Sequence, residues 1–184
     1  QAHGRTNQSL LEYLFQRQFT PAEIYELSEK KEIIYRDMCL RDTANFHLAP
    51  GLVELLAFLC ENQIPRNIAT AAQKNNVDFY IRNFQLGKWF DLDRIVYDNG
   101  TFPGKPAPDI YMLAADKIGI APSQCIVIED AISGIQSARA AGAGKIIAIG
   151  PESDRKHLLQ EDAVSLFIRD FTEFDRTLLQ ANER

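Results

Sequence analysis

The sequence predicts a doubly wound α/β fold, in which helices cover both faces of a parallel sheet, joined to a short helical module. From about Pro50 onward, continuous apolar runs alternate with helical segments of about ten residues, which is typical of buried parallel strands. Residues 1–48 instead show only helical periodicity. We therefore expect an α-helical module over residues 1–48 and an α/β core over residues 49–184.

Two helices are predicted in the module. The first spans about residues 8–18, where leucine and phenylalanine recur at helical spacing. The second begins at Thr20-Pro21-Ala22-Glu23, a capping box with proline at the first helical position, and runs to about Arg41. One stripe of this helix carries Ile24, Leu27, Lys31, Ile34, Tyr35 and Met38.

The core alternates strands and helices. Five apolar runs are predicted as strands, at residues 67–70, 94–97, 125–128, 146–149 and 166–168. Helices are predicted at residues 51–61, 74–84, 109–118, 133–141, near His157 and at 172–181.

Composition excludes several classes of function. The 25 acidic and 20 basic residues give a net charge of −5, so nucleic acid is not expected as a partner. No apolar run has membrane-spanning length, and no membrane partner is expected. Cys39, Cys60 and Cys125 are widely spaced without a C-x-x-C pair, which favours reduced cysteines and a cytoplasmic location. The chain begins with Gln1 and lacks a signal-peptide pattern, which is consistent with a fragment.

Polar residues end three of the predicted strands or follow them in loops. Thr70 ends the first run, Lys105 lies in the loop after the second, and Glu129-Asp130 ends the third. Ligands of open parallel sheets bind at the carboxyl ends of the strands. A hydroxyl, an ammonium and paired carboxylates at one edge can hold a phosphate and Mg²⁺, which predicts a phosphoryl-transfer site.

Each of these residues also has a simpler interpretation. Thr70 could cap the following helix, the Glu129-Asp130 pair could complement a helix dipole, and Lys105 could be a solvated loop residue. Their coincidence at three successive strand ends favours the functional interpretation. Asp91 and Asp93 precede their strand, so we expect them at the opposite edge of the sheet.

Three phrases in the core resemble known motifs. Ile68-Ala69-Thr70, residues 104–111 (GKPAPDIY) and residues 127–135 (VIEDAISGI) are similar to motifs two, three and four of the haloacid dehalogenase superfamily, especially its β-phosphoglucomutase-like phosphatases. The resemblance implies a Rossmann-like core. It also implies that Thr70 binds the transferring phosphoryl group and that Lys105 bridges phosphate and nucleophile. Glu129 and Asp130 would help to hold Mg²⁺.

The same resemblance extends to substrate binding. Residues 1–48 would form part of a helical cap, in which the loop that contains Gly4 and Arg5 and the helix that contains Lys31 would face the substrate. The Ala71 amide, near a helix start, would donate to the phosphate, and Asn75 would also contact the substrate. The implied substrate is a small phosphate ester such as a sugar or polyol phosphate. The oligomeric state is not predicted.

Motif one, a strand that ends in Asp-x-Asp and supplies the nucleophile, has no counterpart in this sequence. In the family this strand lies between those that end at Thr70 and Asp130. We therefore expect that about 30 to 45 preceding residues are absent and that the 184-residue chain is inactive. The leading hypothesis is a Mg²⁺-dependent phosphomonoesterase that acts through an aspartyl-phosphate in the full-length protein. A β-phosphoglucomutase-type mutase and a non-catalytic, partner-binding relic remain alternatives.

Overall fold

The computed structural model describes residues 12–179 and divides into two compact units, Gln1–His47 and Leu48–Arg184. In the first unit, residues 12–15 are helical and helix α1 spans Pro21–Arg41. The predicted capping box is confirmed: Thr20 Oγ1 accepts a hydrogen bond from the Glu23 amide at 3.3 Å, and the Glu23 carboxylate accepts one from the Thr20 amide at 2.8 Å.

The stripe predicted on α1 is partly exposed. Ile34 and Met38 are about 60% exposed, and Ser28 is the buried residue of the helix. Ile24 and Leu27 of the same stripe are half-buried. Helical periodicity identifies the helix, but burial also needs a partner surface.

The second unit alternates helices and strands as predicted. In chain order its helices are α2 (Leu52–Glu61), α3 (Lys74–Phe84), α4 (Asp109–Lys117), α5 (Ile132–Ala140) and α6 (Glu152–Leu158). Its strands are β1 (Ala69–Gln73), β2 (Val96–Asp98), β3 (Ile126–Glu129), β4 (Lys145–Ile149) and β5 (Leu166–Ile168). Short 3₁₀ turns lie at Leu86–Lys88, Leu92–Arg94, Pro122–Gln124, Phe171–Glu173 and Arg176–Leu179.

All strands pair in parallel, but among the described residues they form two sheets. One sheet has the order β1-β2 and the other β3-β4-β5. In the first, Thr70 pairs with Tyr97, and the register then shifts before Gln73 pairs with Asp98. In the second, Ile128 pairs with Ile147, which in turn pairs with Leu166. The α/β class is confirmed, and the sheet is divided.

Helices cover both faces of the three-stranded sheet. Ile147 and Ile168 pack on one face with leucines of α2. Ile146 and Ala148 pack on the other face with Ile135 of α5. Successive residues of a strand point to opposite faces, so this division explains why β4 is a continuous apolar run.

A groove of about 960 Å³ separates the two sheets. Ile68 and Ala69 line it from the side of β1, and residues 126–128 line it from β3. Protein interiors rarely contain voids much larger than a water molecule, so a groove of this size marks a discontinuity in the core. Among the described residues, the division of the sheet thus lies between β1 and β3.

The predicted C-terminal helix over residues 172–181 is wrong within the described residues. The chain there forms two short 3₁₀ turns. Asp170 accepts a hydrogen bond from the Thr172 amide, and Asp175 accepts one from the Thr177 amide, both at 2.9 Å. Each bond caps the start of a short turn, so the chain begins a new turn at Arg176 and does not continue the first one as a helix. Within residues 12–179, no helix combines the length and apolar character needed to cross a membrane.

Candidate active site

Lys105 and Glu129 form an ion pair that joins the two sheets. Lys105 follows β2 in the first sheet, and Glu129 ends β3 in the second. Both side chains are largely buried, with 13% of Lys105 and 7% of Glu129 exposed. A buried charge needs a partner of opposite sign, and each of these residues supplies it to the other. Lys105 is therefore not the solvated loop residue of the simpler interpretation.

Tyr111 completes this cluster. It lies in the first turn of α4, where its hydroxyl donates to Glu129 Oε1 and accepts a hydrogen bond from Lys105 Nζ at 3.1 Å. The lysine ammonium also lies 4.9 Å from the centre of the tyrosine ring. Burial and the adjacent Glu129 charge raise the pKa of the Tyr111 phenol far above its usual range, so Tyr111 remains a neutral donor.

The second carboxylate oxygen of Glu129 is held by the backbone. Glu129 Oε2 accepts hydrogen bonds from the amides of Asp130 at 3.1 Å and Ala131 at 3.3 Å. Gly134 of α5 packs directly on this carboxylate, since a Cβ at that position would overlap the carboxylate atoms. The carboxylate is thus fixed by a cation, a phenol, two amides and a helix backbone that permits its close approach.

The loop that carries Lys105 is anchored to α5. Ser137 is fully buried, and its hydroxyl donates to the Ala107 carbonyl at 2.6 Å. The Ala107 amide donates to the Gly104 carbonyl at 3.1 Å, which closes the turn around Lys105, and the Lys105–Pro106 peptide bond is cis. The loop after β2 is therefore positioned by the helix that follows β3.

Asp130 is the accessible carboxylate of the site. It follows β3 directly and is exposed, whereas its neighbour Glu129 is buried. Surrounding protein atoms remove part of the hydration of Asp130, and this desolvation, together with the Glu129 charge, raises the pKa of Asp130. An exposed carboxylate beside a fixed ion pair can bind a cation.

Thr70 marks the last regular pair of β1 with β2, but the strand continues to Gln73 and does not end at Thr70 as predicted. Thr70 Oγ1 accepts a hydrogen bond from the Ala72 amide at 3.1 Å, a local turn bond. Ala71 is exposed and lies within β1, two residues before the cap of α3, while Asn75 is exposed in the first turn of α3. Thr70 and Ala71 thus lie within β1, the parallel neighbour of β2, and Asn75 follows its carboxyl end.

The expected substrate-binding residues of the helical module are Gly4, Arg5 and Lys31. Gly4 and Arg5 lie outside the described residues. Lys31 lies on α1 in the first unit, where its ammonium pairs with Glu32 at 2.7 Å. Their roles stay predictions.

Asp91 and Asp93 precede β2, as the sequence indicates. Asp91 accepts a hydrogen bond from the Asp93 amide and forms an ion pair with Arg94 at 2.9 Å. Its carboxylate stabilises the 3₁₀ turn before the strand, which supports its exclusion from the site.

Sequence reasoning missed three residues that shape the cluster: Tyr111, Gly134 and Ser137. Two of them lie inside the phrases that identified the site, Tyr111 six residues after Lys105 and Gly134 five residues after Glu129. Only Gly134 gave a usable signal in the sequence. A glycine inside a short helix is unfavourable, so its presence indicates that another group packs closely on it. Ser137 carried no distinguishing signal.

Comparison with known proteins agrees with the motifs. A family model described as haloacid dehalogenase-like hydrolase matches residues 4–142. The chain is 44% identical over 123 residues to hexitol phosphatase A of Escherichia coli, covering 67% of this chain and 55% of that protein. It is 32% identical over 118 residues to the phosphorylated carbohydrates phosphatase of Thermotoga maritima, covering 64% of this chain and 54% of that protein.

A solved structure has the same fold over nearly the whole chain. The haloacid dehalogenase hydrolase, family IA, variant 3, of Entamoeba histolytica superposes with a TM-score of 0.90 at 38% identity, over 96% of this chain and 78% of that one. The chain spans about half the length of the curated relatives it matches. The family model covers most of the sequence, including every residue of the Lys105 cluster. The chain belongs to the haloacid dehalogenase-like hydrolases.

Proposed function

We propose that this chain is part of a Mg²⁺-dependent phosphomonoesterase whose substrates are small phosphorylated sugars or polyols. The buried Lys105–Glu129 pair beside the exposed carboxylate of Asp130 carries the proposal. A fixed ammonium next to an accessible carboxylate suits a phosphate together with its metal ion. The relatives named as hexitol and carbohydrate phosphatases support the substrate class.

Lys105 is the proposed phosphate ligand. Of its three N–H groups, one bonds to Glu129 and another to Tyr111, which leaves one to donate to a phosphate oxygen. Glu129 holds the ammonium in place before substrate arrives, so no side-chain reorganisation is needed during the reaction. Such preorganised charge is the main contribution of a protein to phosphoryl transfer.

Asp130 is the proposed direct ligand of Mg²⁺. Magnesium is usually bound by one or two carboxylates, with water and phosphate oxygens as its remaining ligands. Asp130 fits this donor set because it is exposed, whereas both oxygens of Glu129 already have protein partners. Among residues 12–179, no group of three or more metal-binding side chains occurs, so the ion would need further ligands from water and substrate. When bound, Mg²⁺ would neutralise charge on the phosphate oxygens.

Thr70, Ala71 and Asn75 are proposed to complete the phosphate site. The Thr70 hydroxyl oxygen accepts the Ala72 amide, so its proton remains available for a phosphate oxygen. The Ala71 amide and the Asn75 side chain would add donors close to the start of α3. In the helical module, Gly4, Arg5 and Lys31 are proposed to contact the rest of the substrate, as part of a cap.

The nucleophile is proposed to be an aspartate supplied by a segment outside these 184 residues. The two acids of the cluster already have other roles in this proposal, because Glu129 pairs with Lys105 and Asp130 would bind the metal ion. Covalent transfer to an aspartate would divide a slow hydrolysis into two faster steps. We accordingly propose that the 184-residue chain alone has no phosphatase activity.

Phosphate release by a longer form of the protein tests this function. With Mg²⁺ and a panel of sugar and polyol phosphates, Lys105→Met and Asp130→Asn should each lower kcat/KM by at least about 100-fold, the usual size of a lost electrostatic contact. Lys156→Met and Asp162→Asn, at exposed positions, are matched controls that should retain activity. Full activity in Lys105→Met or Asp130→Asn would contradict the proposal. Conversion of glucose 1-phosphate into glucose 6-phosphate without phosphate release would instead identify a mutase.

A further inference from the structure

The ring of Tyr111 packs against the cores of both sheets. It packs on the buried cluster that contains Val96 of β2, and also on the cluster that contains Ile135 of α5 and Ile146 of β4. Among the described residues, no other side chain is shared by these two clusters. The Tyr111 amide donates to the Pro108 carbonyl at 3.1 Å, which fixes the first turn of α4. Close packing and this turn therefore set the position of the phenol independently of its hydroxyl bonds.

The Tyr111 hydroxyl lies between the two members of the ion pair. It accepts a hydrogen bond from Lys105 Nζ at 3.1 Å and donates to Glu129 Oε1, and the ammonium donates to the same carboxylate oxygen. The three groups form a closed triangle of hydrogen bonds. A phenol suits this place because one hydroxyl can accept and donate at the same time.

The second hydrogen bond of Lys105 restricts the direction of its ammonium. Lysine carries three N–H donors on a flexible four-carbon stem. A single bond to Glu129 would leave the ammonium able to pivot about that bond. A second bond, to a hydroxyl whose ring is clamped between the two cores, removes this freedom. The third N–H of Lys105 then has one defined direction.

We infer that Tyr111 is a positioning residue for phosphoryl transfer, whose hydroxyl directs the third N–H of Lys105 towards the phosphate. This inference rests on the proposed function, in which Lys105 is the phosphate ligand. An ammonium that is fixed before the substrate arrives stabilises the charge of the transition state without reorganisation. Tyr111 acts through Lys105 and does not touch the substrate, so its hydroxyl affects kcat more than KM.

Tyr111→Phe isolates the contribution of the hydroxyl. The variant keeps the ring, its packing on both clusters and its position 4.9 Å from the ammonium, and it removes one oxygen atom. Tyr80→Phe is the matched control, because Tyr80 is a half-buried tyrosine of α3 outside the triangle of Lys105, Glu129 and Tyr111. Both variants are made in the longer form of the protein that is used for the phosphatase assay.

The first measurement does not depend on turnover. Nitrogen-15 NMR resolves the ammonium groups of the eight lysines, and the Lys105 signal is assigned by its loss in Lys105→Met. In the parent protein, this ammonium should exchange its hydrogens slowly with water and show a scalar coupling to the Glu129 carboxylate carbon. In Tyr111→Phe the coupling should remain, but hydrogen exchange should become at least about tenfold faster, because one donor has lost its acceptor. Tyr80→Phe should leave both signals unchanged.

The second measurement is steady-state kinetics with a sugar or polyol phosphate and Mg²⁺. Tyr111→Phe should lower kcat about 10- to 100-fold, the usual effect of losing a group that orients a functional side chain, and change KM less than about twofold. Rates are expressed per folded molecule, measured by circular dichroism, so that lost stability does not imitate a lower kcat. Tyr80→Phe should retain the kcat of the parent protein.

The inference is overturned if Tyr111→Phe keeps the kcat of the parent protein, whatever its KM. It is equally overturned if kcat falls while hydrogen exchange at Lys105 is unchanged. A Lys105 ammonium that exchanges in the parent protein as fast as that of exposed Lys156 also overturns it, whether or not the variant folds. A parent protein that releases no phosphate contradicts the proposed function instead, and the NMR measurement still decides whether Tyr111 fixes Lys105.

Discussion

Lys105 and Glu129 form a buried ion pair across the division between the two sheets. The lysine follows β2 and the glutamate ends β3, so the pair connects elements that share no backbone ladder in residues 12–179. It fixes the ammonium that we propose as phosphate ligand, and it ties the carboxyl edges of the two sheets together.

Breaking the pair should destabilise the fold. Lys105→Met leaves the Glu129 carboxylate buried without its cation, and loss of one partner of a buried pair costs about 3–5 kcal/mol. Urea unfolding of the 184-residue chain measures the change. The double variant Lys105→Met/Glu129→Gln should recover part of the loss because it removes the unpaired charge. Equal stability of the single variant and the parent chain would contradict a structural role of the pair.

Tyr111 should remain protonated in alkaline solution. Its pKa is raised, so neutral Tyr111 contributes stability that is fully present below the unfolded value of 10.0 and is lost as pH rises above it. Titration of phenolate absorbance should show that one of the six tyrosines ionises only when the chain unfolds. That late step should be missing in Tyr111→Phe, which should also lower stability by about 1.5–3 kcal/mol. Ionisation of all six tyrosines before unfolding would disprove the assigned environment.

Gly134→Ala should disturb the site through a single methyl group. The new Cβ would overlap the Glu129 carboxylate, and overpacking of this kind costs about 1–3 kcal/mol. Gly104→Ala is the matched control, since a Cβ there meets no atom within 4 Å. Thermal or urea unfolding should separate the two variants. If both behave alike, the close approach of α5 to Glu129 is not maintained in solution.

Thr20→Ala should weaken the start of α1. The capping box is lost with the hydroxyl, at a cost of about 0.5–2 kcal/mol, whereas Thr20→Ser should retain most of it. Hydrogen bonds from Thr20 and Arg17 lower the pKa of Glu23 from 4.5 to about 2. The Glu23 contribution is therefore present above pH 4.5 and lost as pH falls towards 2. NMR titration of Glu23 should show the lowered pKa in the parent chain and an increase in Thr20→Ala; an unchanged value would argue against the cap.

Patterns of residues in the sequence determined the α/β class, the order of its elements and the identity of Lys105, Glu129 and Asp130. These features depend on local spacing: continuous apolar runs mark buried strands, and polar residues just after them mark the carboxyl edge. Tertiary structure alone decided that Lys105 pairs with Glu129 and not with solvent. It also decided that Tyr111 and Gly134 contact the same carboxylate. The exposure of Ile34 and Met38 on α1 was likewise visible only in the structure. Each of these depends on contacts between elements far apart in sequence or on the presence of a covering surface, which periodicity along one element does not encode. The divided sheet has the same origin, because pairing requires a partner strand at each edge.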